Sequence, residues 1–341
     1  MILNLFILLA AFIVLLWGAD RFVIGAAAFA RNLGLSPLLV GLTIVAIGTS
    51  GPEIFVGIIA ALKGNPGIAI GNAIGSNITN IGLVIGLTAL IIPLQVRSVT
   101  LKREYPLLFV VMLLVAILSM DGSYSRFDGL LLTSSWVITI GIMIFWGLSA
   151  DQELLFAEFA KEIPKKMPTC QAIGWLGLGL VLLPLGSDYL VNSAVAIAKD
   201  LGISELVIGL TVVALGTSLP ELMASLMSAI RGEHDIAIGN ILGSNLFNLL
   251  AVIGLPSLIH PYHFGPNVLY RDFPIMLLVT ILLYVASYWN KQKPIINRKA
   301  GFLLLLVYCA YIGFTTSFAY QASKNNATIS YSNFTEMEKD A

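Results

Sequence analysis

Two glutamates stand in nearly the same surroundings. Glu53 closes the hexapeptide GTSGPE at 48–53, and Glu221 closes GTSLPE at 216–221. Both hexapeptides lie inside long apolar runs, LTIVAIGTSGPEIFVG and LTVVALGTSLPELMAS. An ionisable side chain in the interior of a bilayer is costly and marks a functional position. Pro52 and Pro220 lack a backbone N–H and interfere with the carbonyls of Gly48 and Gly216, four residues earlier, so each helix is expected to kink there. Carbonyls freed in lipid must find partners, and a dehydrated cation is one. The hydroxyls of Thr49, Ser50, Thr217 and Ser218 add neutral oxygens. Ligation by oxygen alone suits hard cations such as Ca²⁺ and Na⁺, and the lack of His or Cys beside the motifs argues against zinc or copper. Two carboxylates close together repel, and a cation between them relieves that repulsion.

A second matched pair follows each hexapeptide: IAIGNAIGSNITNIG and IAIGNILGSNLFNLL. Ser76 and Asn80 are four apart, as are Ser244 and Asn248, so each pair shares one helix face. These four are read as further ion ligands. Gly71, Gly75, Gly239 and Gly243 are expected to let helices approach closely, and Asn72, Asn77, Asn240 and Asn245 to hydrogen-bond between helices.

The surrounding chain must hold these groups inside a membrane. Hydrophobic residues make up 57% of the 341 positions and charged residues 11%, too few charges to cover a water-soluble surface of this size. The N-terminus has no basic region before its apolar run and is read as a retained first span. Ten apolar stretches suit membrane helices, with cores near 2–30, 35–62, 66–93, 105–120, 129–148, 171–198, 203–230, 236–259, 273–289 and 301–318. The fold class expected is an all-α membrane protein of ten transmembrane helices. A first five-helix unit spans 1–150, a polar central loop 151–170, and a second five-helix unit 171–318. The tail 319–341 is polar and expected to be disordered. Cys170 and Cys309 fit no metal or disulfide pattern, and no basic stripe suggests nucleic acid.

The two units are copies. Adding 168 takes Asp20 to Asp188, Thr49 to Thr217, Glu53 to Glu221, Ser76 to Ser244 and Asn80 to Asn248, with no gap from 20 to 87 and roughly half the positions identical. Such duplication is a sign of secondary transporters. An odd number of spans per copy makes the repeat inverted, with its pseudo-two-fold axis in the membrane plane. Placing both termini outside leaves twelve basic residues on the inner side and six on the outer, which favours a cytoplasmic central loop. Asp20 and Asp188 are read as structural, each near a helix end or paired with a base such as Arg21, and Asp121, Arg126 and Asp128 as solvated charges of a short loop.

The duplicated GTSxPE and GNxxGSN motifs together resemble the cation/Ca²⁺ exchanger superfamily, and most closely the prokaryotic sodium/calcium exchangers that do not require K⁺. The resemblance runs over essentially the whole chain up to the tail. It implies ten helices in two inverted repeats and four ion sites at the midplane. Ca²⁺ would lie between Glu53 and Glu221, helped by the carbonyls of Thr49 and Thr217. One Na⁺ site would use Glu53, Ser76, Thr217, Ser218 and the carbonyl of Ala214; its mate would use Glu221, Ser244, Thr49, Ser50 and the carbonyl of Ala46. Asn80 and Asn248 would frame a middle site. Ca²⁺ and Na⁺ are then transported ions, with no cofactor and no obligate protein partner expected, in a prokaryotic cytoplasmic membrane. Two positions depart from the family pattern. Gly51 replaces a larger apolar residue, and Asn248 stands where many relatives carry aspartate, which removes a charge.

Three other readings rank below an exchange of Na⁺ for Ca²⁺. A cation/H⁺ antiporter usually carries an asparagine-containing motif in place of GTSxPE. A channel needs a continuous pore rather than mid-span breaks in an inverted repeat. An intramembrane protease needs paired aspartates, and Asp20 and Asp188 lack a catalytic motif around them.

Overall fold

The computed structural model describes residues 2–64, 66–96, 102–148, 167–200, 214–265, 268–288 and 294–337, apart from the side chains of 147–148, 198–199, 214–215 and 318–337. Most of the central loop and the first part of the expected span 203–230 lie outside the described residues. In chain order the helices are α1 (Ile2–Asn32), α2 (Pro37–Thr49), α3 (Gly51–Leu62), α4 (Gly67–Ile91), α5 (Glu104–Leu118) and α6 (Arg126–Leu148). They continue with α7 (Thr169–Asp200), α8 (Ala214–Thr217), α9 (Leu219–Ile230), α10 (His234–Ile259), α11 (Val268–Tyr288) and α12 (Arg298–Met337).

Among the described residues seven helices are long and apolar enough to cross a membrane, and an eighth span exists if α2 and α3 are one broken helix. The two shorter apolar helices are α5 and α9. Large apolar side chains such as Phe6, Leu113, Phe127, Phe145 and Phe302 point outward. A belt of that kind is stable only when lipid covers it.

The break between α2 and α3 bends the chain by 44°. Its cause is local. Pro52 sits in the first turn of α3, where its missing N–H costs nothing, and Ser50 leaves the helical region with φ −88° and ψ 2°. The same device recurs before α9, with Pro220 in the first turn and Ser218 at φ −90° and ψ 4°. The expected kinks are therefore present, each placed just ahead of its glutamate.

Helix α10 forms the centre and is buried from Asp235 through Gly254. Helix α2 presses directly onto it, backbone to backbone. A Cβ at Gly239 would stand 2.7 Å from the Leu38 carbonyl oxygen, and one at Gly41 would stand 2.8 Å from that of Ile236. A Cβ at Gly243 would overlap the Leu42 carbonyl. The glycines were expected to allow close approach, and Gly239 and Gly243 do. At Gly71 and Gly75 nothing among the described residues comes within 4 Å of that position.

Helices α1 and α7 form a long antiparallel pair, with Gly25 against Ala172 and Leu176, Gly18 against Leu182, and Gly186 against Leu15. Two short antiparallel ladders tie the halves together: β1 (Leu94–Gln95) pairs with β4 (Ile295–Ile296), and β2 (Ser123–Tyr124) with β3 (Tyr262–His263). Within α4 and α10 the helix widens to π turns at Asn80–Ile85 and Asn248–Val252, matched positions in the two halves. Single π turns often accompany functional sites.

Two local expectations change. Asp128 is not a free loop charge: its carboxylate accepts the Ser125 N–H at 2.8 Å, and the Ser125 hydroxyl accepts the Asp128 N–H at 3.2 Å, a reciprocal cap on α6. Helix α12 continues to Met337, so helical backbone runs through most of the 319–341 tail. That stretch contains neither proline nor glycine, so nothing in it breaks a helix already begun.

Replacing Gly243 by Val drives a branched side chain into the Leu42 backbone. The thermal unfolding midpoint in detergent is expected to drop, reflecting a loss of about 1–3 kcal/mol, whereas Gly51→Ala, where nothing lies within 4 Å, leaves it unchanged.

Candidate cation site

The two glutamates lie in the first turns of α3 and α9, immediately after the breaks. Helix N-termini carry partial positive charge, which offsets part of the negative charge there. Both carboxyl groups are shut away from the surface, each 1% exposed. They flank one point: Ser50, three residues before Glu53, reaches the Glu221 carboxylate. The fold thus brings together two residues 168 positions apart in the chain.

Hydrogen bonds stitch the halves across this point. The Ser50 hydroxyl donates to Glu221 Oε1 at 3.0 Å. The Thr49 hydroxyl donates to Asn240 Oδ1 at 3.0 Å and lies 3.5 Å from Ser244 Oγ. Asn240 in turn donates to Ser225 Oγ at 3.0 Å and to the Glu221 carbonyl at 3.4 Å, which fixes its orientation. The close α2–α10 backbone contact makes this reach possible.

Four asparagines form a second, symmetrical stitch. Asn80 Nδ2 donates to Asn245 Oδ1, and Asn248 Nδ2 donates to Asn77 Oδ1, each at 3.1 Å. Asn77 is held by its own donation to the Asn245 carbonyl at 3.2 Å. Each NH₂ group makes one of these bonds, and the carbonyl oxygens of Asn80 and Asn248 stay free. Both side-chain oxygens are buried without a partner.

They are not alone. Glu53 Oε2, Glu221 Oε2 and Ser218 Oγ are also buried and unpartnered. Five side-chain oxygens from the two matched motif pairs therefore have no hydrogen-bond partner among the described residues. Leaving a buried polar atom unpaired costs about 1–3 kcal/mol, and more for a charged group. Among the described residues no cluster of three or more His, Cys, Asp or Glu occurs. The chemistry available is that of two carboxylates supplemented by neutral hydroxyl and amide oxygens.

The remaining named positions divide. Ser76 is buried and lies 3.5 Å from Asn72 Oδ1. The Ala46 carbonyl accepts the Ser50 N–H at 2.9 Å and lies 3.5 Å from the Thr49 hydroxyl. Thr217 ends the short helix α8, which begins at Ala214 and packs against α4. Asp20 does not pair with Arg21. It binds Arg231 at the end of α9, with Nε at 2.7 Å, while the Arg21 guanidinium stacks over the rings of Trp17 and Trp175. Sequence reasoning placed Asn77, Asn240 and Asn245 between helices but gave no role to Ser225 or to the π turns. The spacing of a lone serine or of an extra helical residue carries no signal in one sequence.

The span content, the buried charge and the paired oxygens define a multi-pass membrane transporter. The chain belongs to the family described as sodium/calcium exchanger protein, which matches residues 3–145 and again 171–317. That family consists of transporters and not enzymes. The chain is 47% identical over 304 residues, 89% of this chain and 95% of the relative, to a protein of Alkalimonas amylolytica that carries the name antiporter CaxA. It is 38% identical over 307 residues to the inner membrane protein YrbG of Escherichia coli, covering 89% and 94% of the two chains. It is 31% identical over 360 residues to the sodium/calcium exchanger MaX1 of Methanosarcina acetivorans, covering 91% and 97%. Among solved structures it resembles the sodium–calcium exchanger NCX_Mj soaked with zero Na⁺ and Ca²⁺, at 34% identity and a TM-score of 0.79, over 92% of this chain and 99% of that one.

Asn77 and Asn245 act on the free oxygens only through orientation, and loss of such an outer partner typically weakens a metal site about 10–100-fold. Asn77→Ala and Asn245→Ala are each expected to raise the concentration of Ca²⁺ needed for half-maximal transport by that order, with expression and gel-filtration profile retained. An unchanged concentration dependence would detach the asparagine ring from the site.

Proposed function

We propose that the protein exchanges Na⁺ for Ca²⁺ by alternating access at a midplane site centred on Glu53 and Glu221. The observation that carries this reading is the group of five buried, unpartnered oxygens on Glu53, Glu221, Ser218, Asn80 and Asn248. Two carboxylates balance one Ca²⁺ or two Na⁺, so the ions compete for the same charges. Exchange is obligatory if the empty protein changes face slowly. A third Na⁺ would make the cycle electrogenic and sensitive to voltage. The similarity to MaX1, named a sodium/calcium exchanger, and to NCX_Mj supports the ion pair chosen. The name of CaxA specifies antiport without a counter-ion, so a proton is the competing possibility.

In this reading α5 and α9 complete ten spans, in two inverted units of five at 1–150 and 171–318, joined by a cytoplasmic loop at 151–170. Ca²⁺ lies between the two glutamates with the carbonyls of Thr49 and Thr217. Na⁺ takes Glu53, Ser76, Thr217, Ser218 and the Ala214 carbonyl on one side, and Glu221, Ser244, Thr49, Ser50 and the Ala46 carbonyl on the other. Asn80 and Asn248 line the middle. The amide of Asn248 adds no charge, and no K⁺ requirement is expected. Both termini face outward across a prokaryotic cytoplasmic membrane, and transport needs no partner protein.

Proteoliposomes loaded with Na⁺ and diluted into Na⁺-free buffer are expected to take up ⁴⁵Ca²⁺, and added K⁺ is expected to change nothing. Glu53→Gln and Glu221→Gln each abolish that uptake. Uptake that follows an imposed pH gradient and ignores Na⁺ would replace the Na⁺ reading with H⁺ exchange.

A further inference from the structure

The matched halves are not in the same state. Arg231 forms the C-terminal cap of α9 with φ −82° and ψ −2°, followed by Gly232 at φ +79°. Its mate Lys63 caps α3 with φ −85° and ψ 3°, followed by Gly64 at φ +77°. The two cations therefore leave their helices in the same way, presented by the same left-handed glycine. Arg231 grips Asp20 of α1 with both Nε and Nη2. The mates of this pair are Lys63 and Asp188 of α7. Both are exposed, and among the described residues neither forms an ion pair.

Packing follows the same division. Helix α1 lies along α9, whereas α7 makes no packing of that extent along α3. The apolar face of α9 is accordingly covered, with Met223 7% exposed and Ala224 fully buried. The equivalent face of α3 is bare: Phe55 is 68% exposed and Val56 41%. Inside the site, Ser50 reaches Glu221 while Ser218, the mate of Ser50, has no partner. Since the local backbone at Lys63 and Arg231 is alike, the difference must come from where α1 and α7 lie. In a duplicated transporter the opposite-facing state is reached by one unit moving against the rest.

We propose that Asp188 and Lys63 close in the opposite state of the transport cycle as Asp20 and Arg231 close in this one, so that the two ion pairs are mutually exclusive latches on the two sides of the site. This rests on the alternating-access reading above, and with the orientation adopted there the present state is open to the outside. Chemistry gives the latches unequal strength. An arginine fork holds a carboxylate through several fixed donors, whereas lysine offers a mobile point charge. The Asp20–Arg231 state is therefore the preferred rest state.

The test uses the full-length protein with Cys170→Ser and Cys309→Ser. Lys63→Cys and Asp188→Cys are added together, and a short reducible bis-methanethiosulfonate bridges them; intact mass separates a bridge from two single adducts. Bridging is expected although the pair is open in this structure, and it stops exchange until reductant is added. Arg231→Ala or Asp20→Asn, introduced into this background, is expected to raise the bridging rate about two- to fivefold, the weight of a part-exposed ion pair. Failure to bridge while both cysteines label singly overturns the proposal. So does a bridging rate that neither substitution moves. Bridging reads conformation alone. If the cysteine-free parent takes up no ⁴⁵Ca²⁺ against Na⁺, the exchange reading fails separately from the latches.

Discussion

Oxygen atoms that cannot reach water need a positive partner, and this fold withholds one. Several donors near the centre are committed elsewhere. Asn80 and Asn248 point their NH₂ groups at the opposing asparagines, Asn240 at Ser225 and the Glu221 backbone, and Ser50 donates its only hydroxyl proton to Glu221. Among the described residues, two carboxylate oxygens, two amide oxygens and the Ser218 hydroxyl are left buried without a partner. No arginine or lysine neutralises the glutamates among the described contacts, as a structural carboxylate pair would require. In the proposed reading the cost of that arrangement is met when a small cation enters, because a bare cation satisfies many acceptors at once without donating anything.

The rest of the architecture serves to hold those oxygens in place. Breaks before α3 and α9 turn two helix N-termini toward the centre, and the close backbone contact between α2 and α10 brings Thr49 to Asn240 and Ser244. A side chain larger than hydrogen at Gly239 or Gly243 would push α2 outward and open those bonds. The π turns beginning at Asn80 and Asn248 add one residue to a helical turn, which reorients the carbonyls next to the asparagine ring.

Much of this was legible in the sequence because it is written twice. Glu53 and Glu221, the prolines that break their helices and the asparagine spacing are visible at a constant offset, and a repeated coincidence carries more weight than a single motif. What sequence could not supply is what differs between the copies. Asp20 and Asp188 read alike, yet one is paired with Arg231 and the other is exposed. Gly71 and Gly239 read alike, yet only Gly239 meets a backbone. Local sequence determines what each residue can do; the relative position of the two units determines which of those options is in use. The capping role of Asp128 was missed for a simpler reason, because an aspartate in a short polar loop looks solvated until the serine three residues before it is seen to turn back.

The energy scale of the latches bears on how such a machine can run. Reversing a two-state population from 1:99 to 99:1 takes about 5.5 kcal/mol of differential binding, while a part-exposed ion pair such as Asp20–Arg231 is worth roughly 0.2–1 kcal/mol. The latches therefore bias a rest state but cannot command the cycle. A fully buried ion pair in their place would trap one face, since opening it would leave an uncompensated charge. The larger energies belong to the central carboxylates and the cation between them. In the proposed cycle control thus sits with cargo: whether the two glutamates are balanced decides whether the protein can cross between states, and the peripheral pairs decide only where it waits.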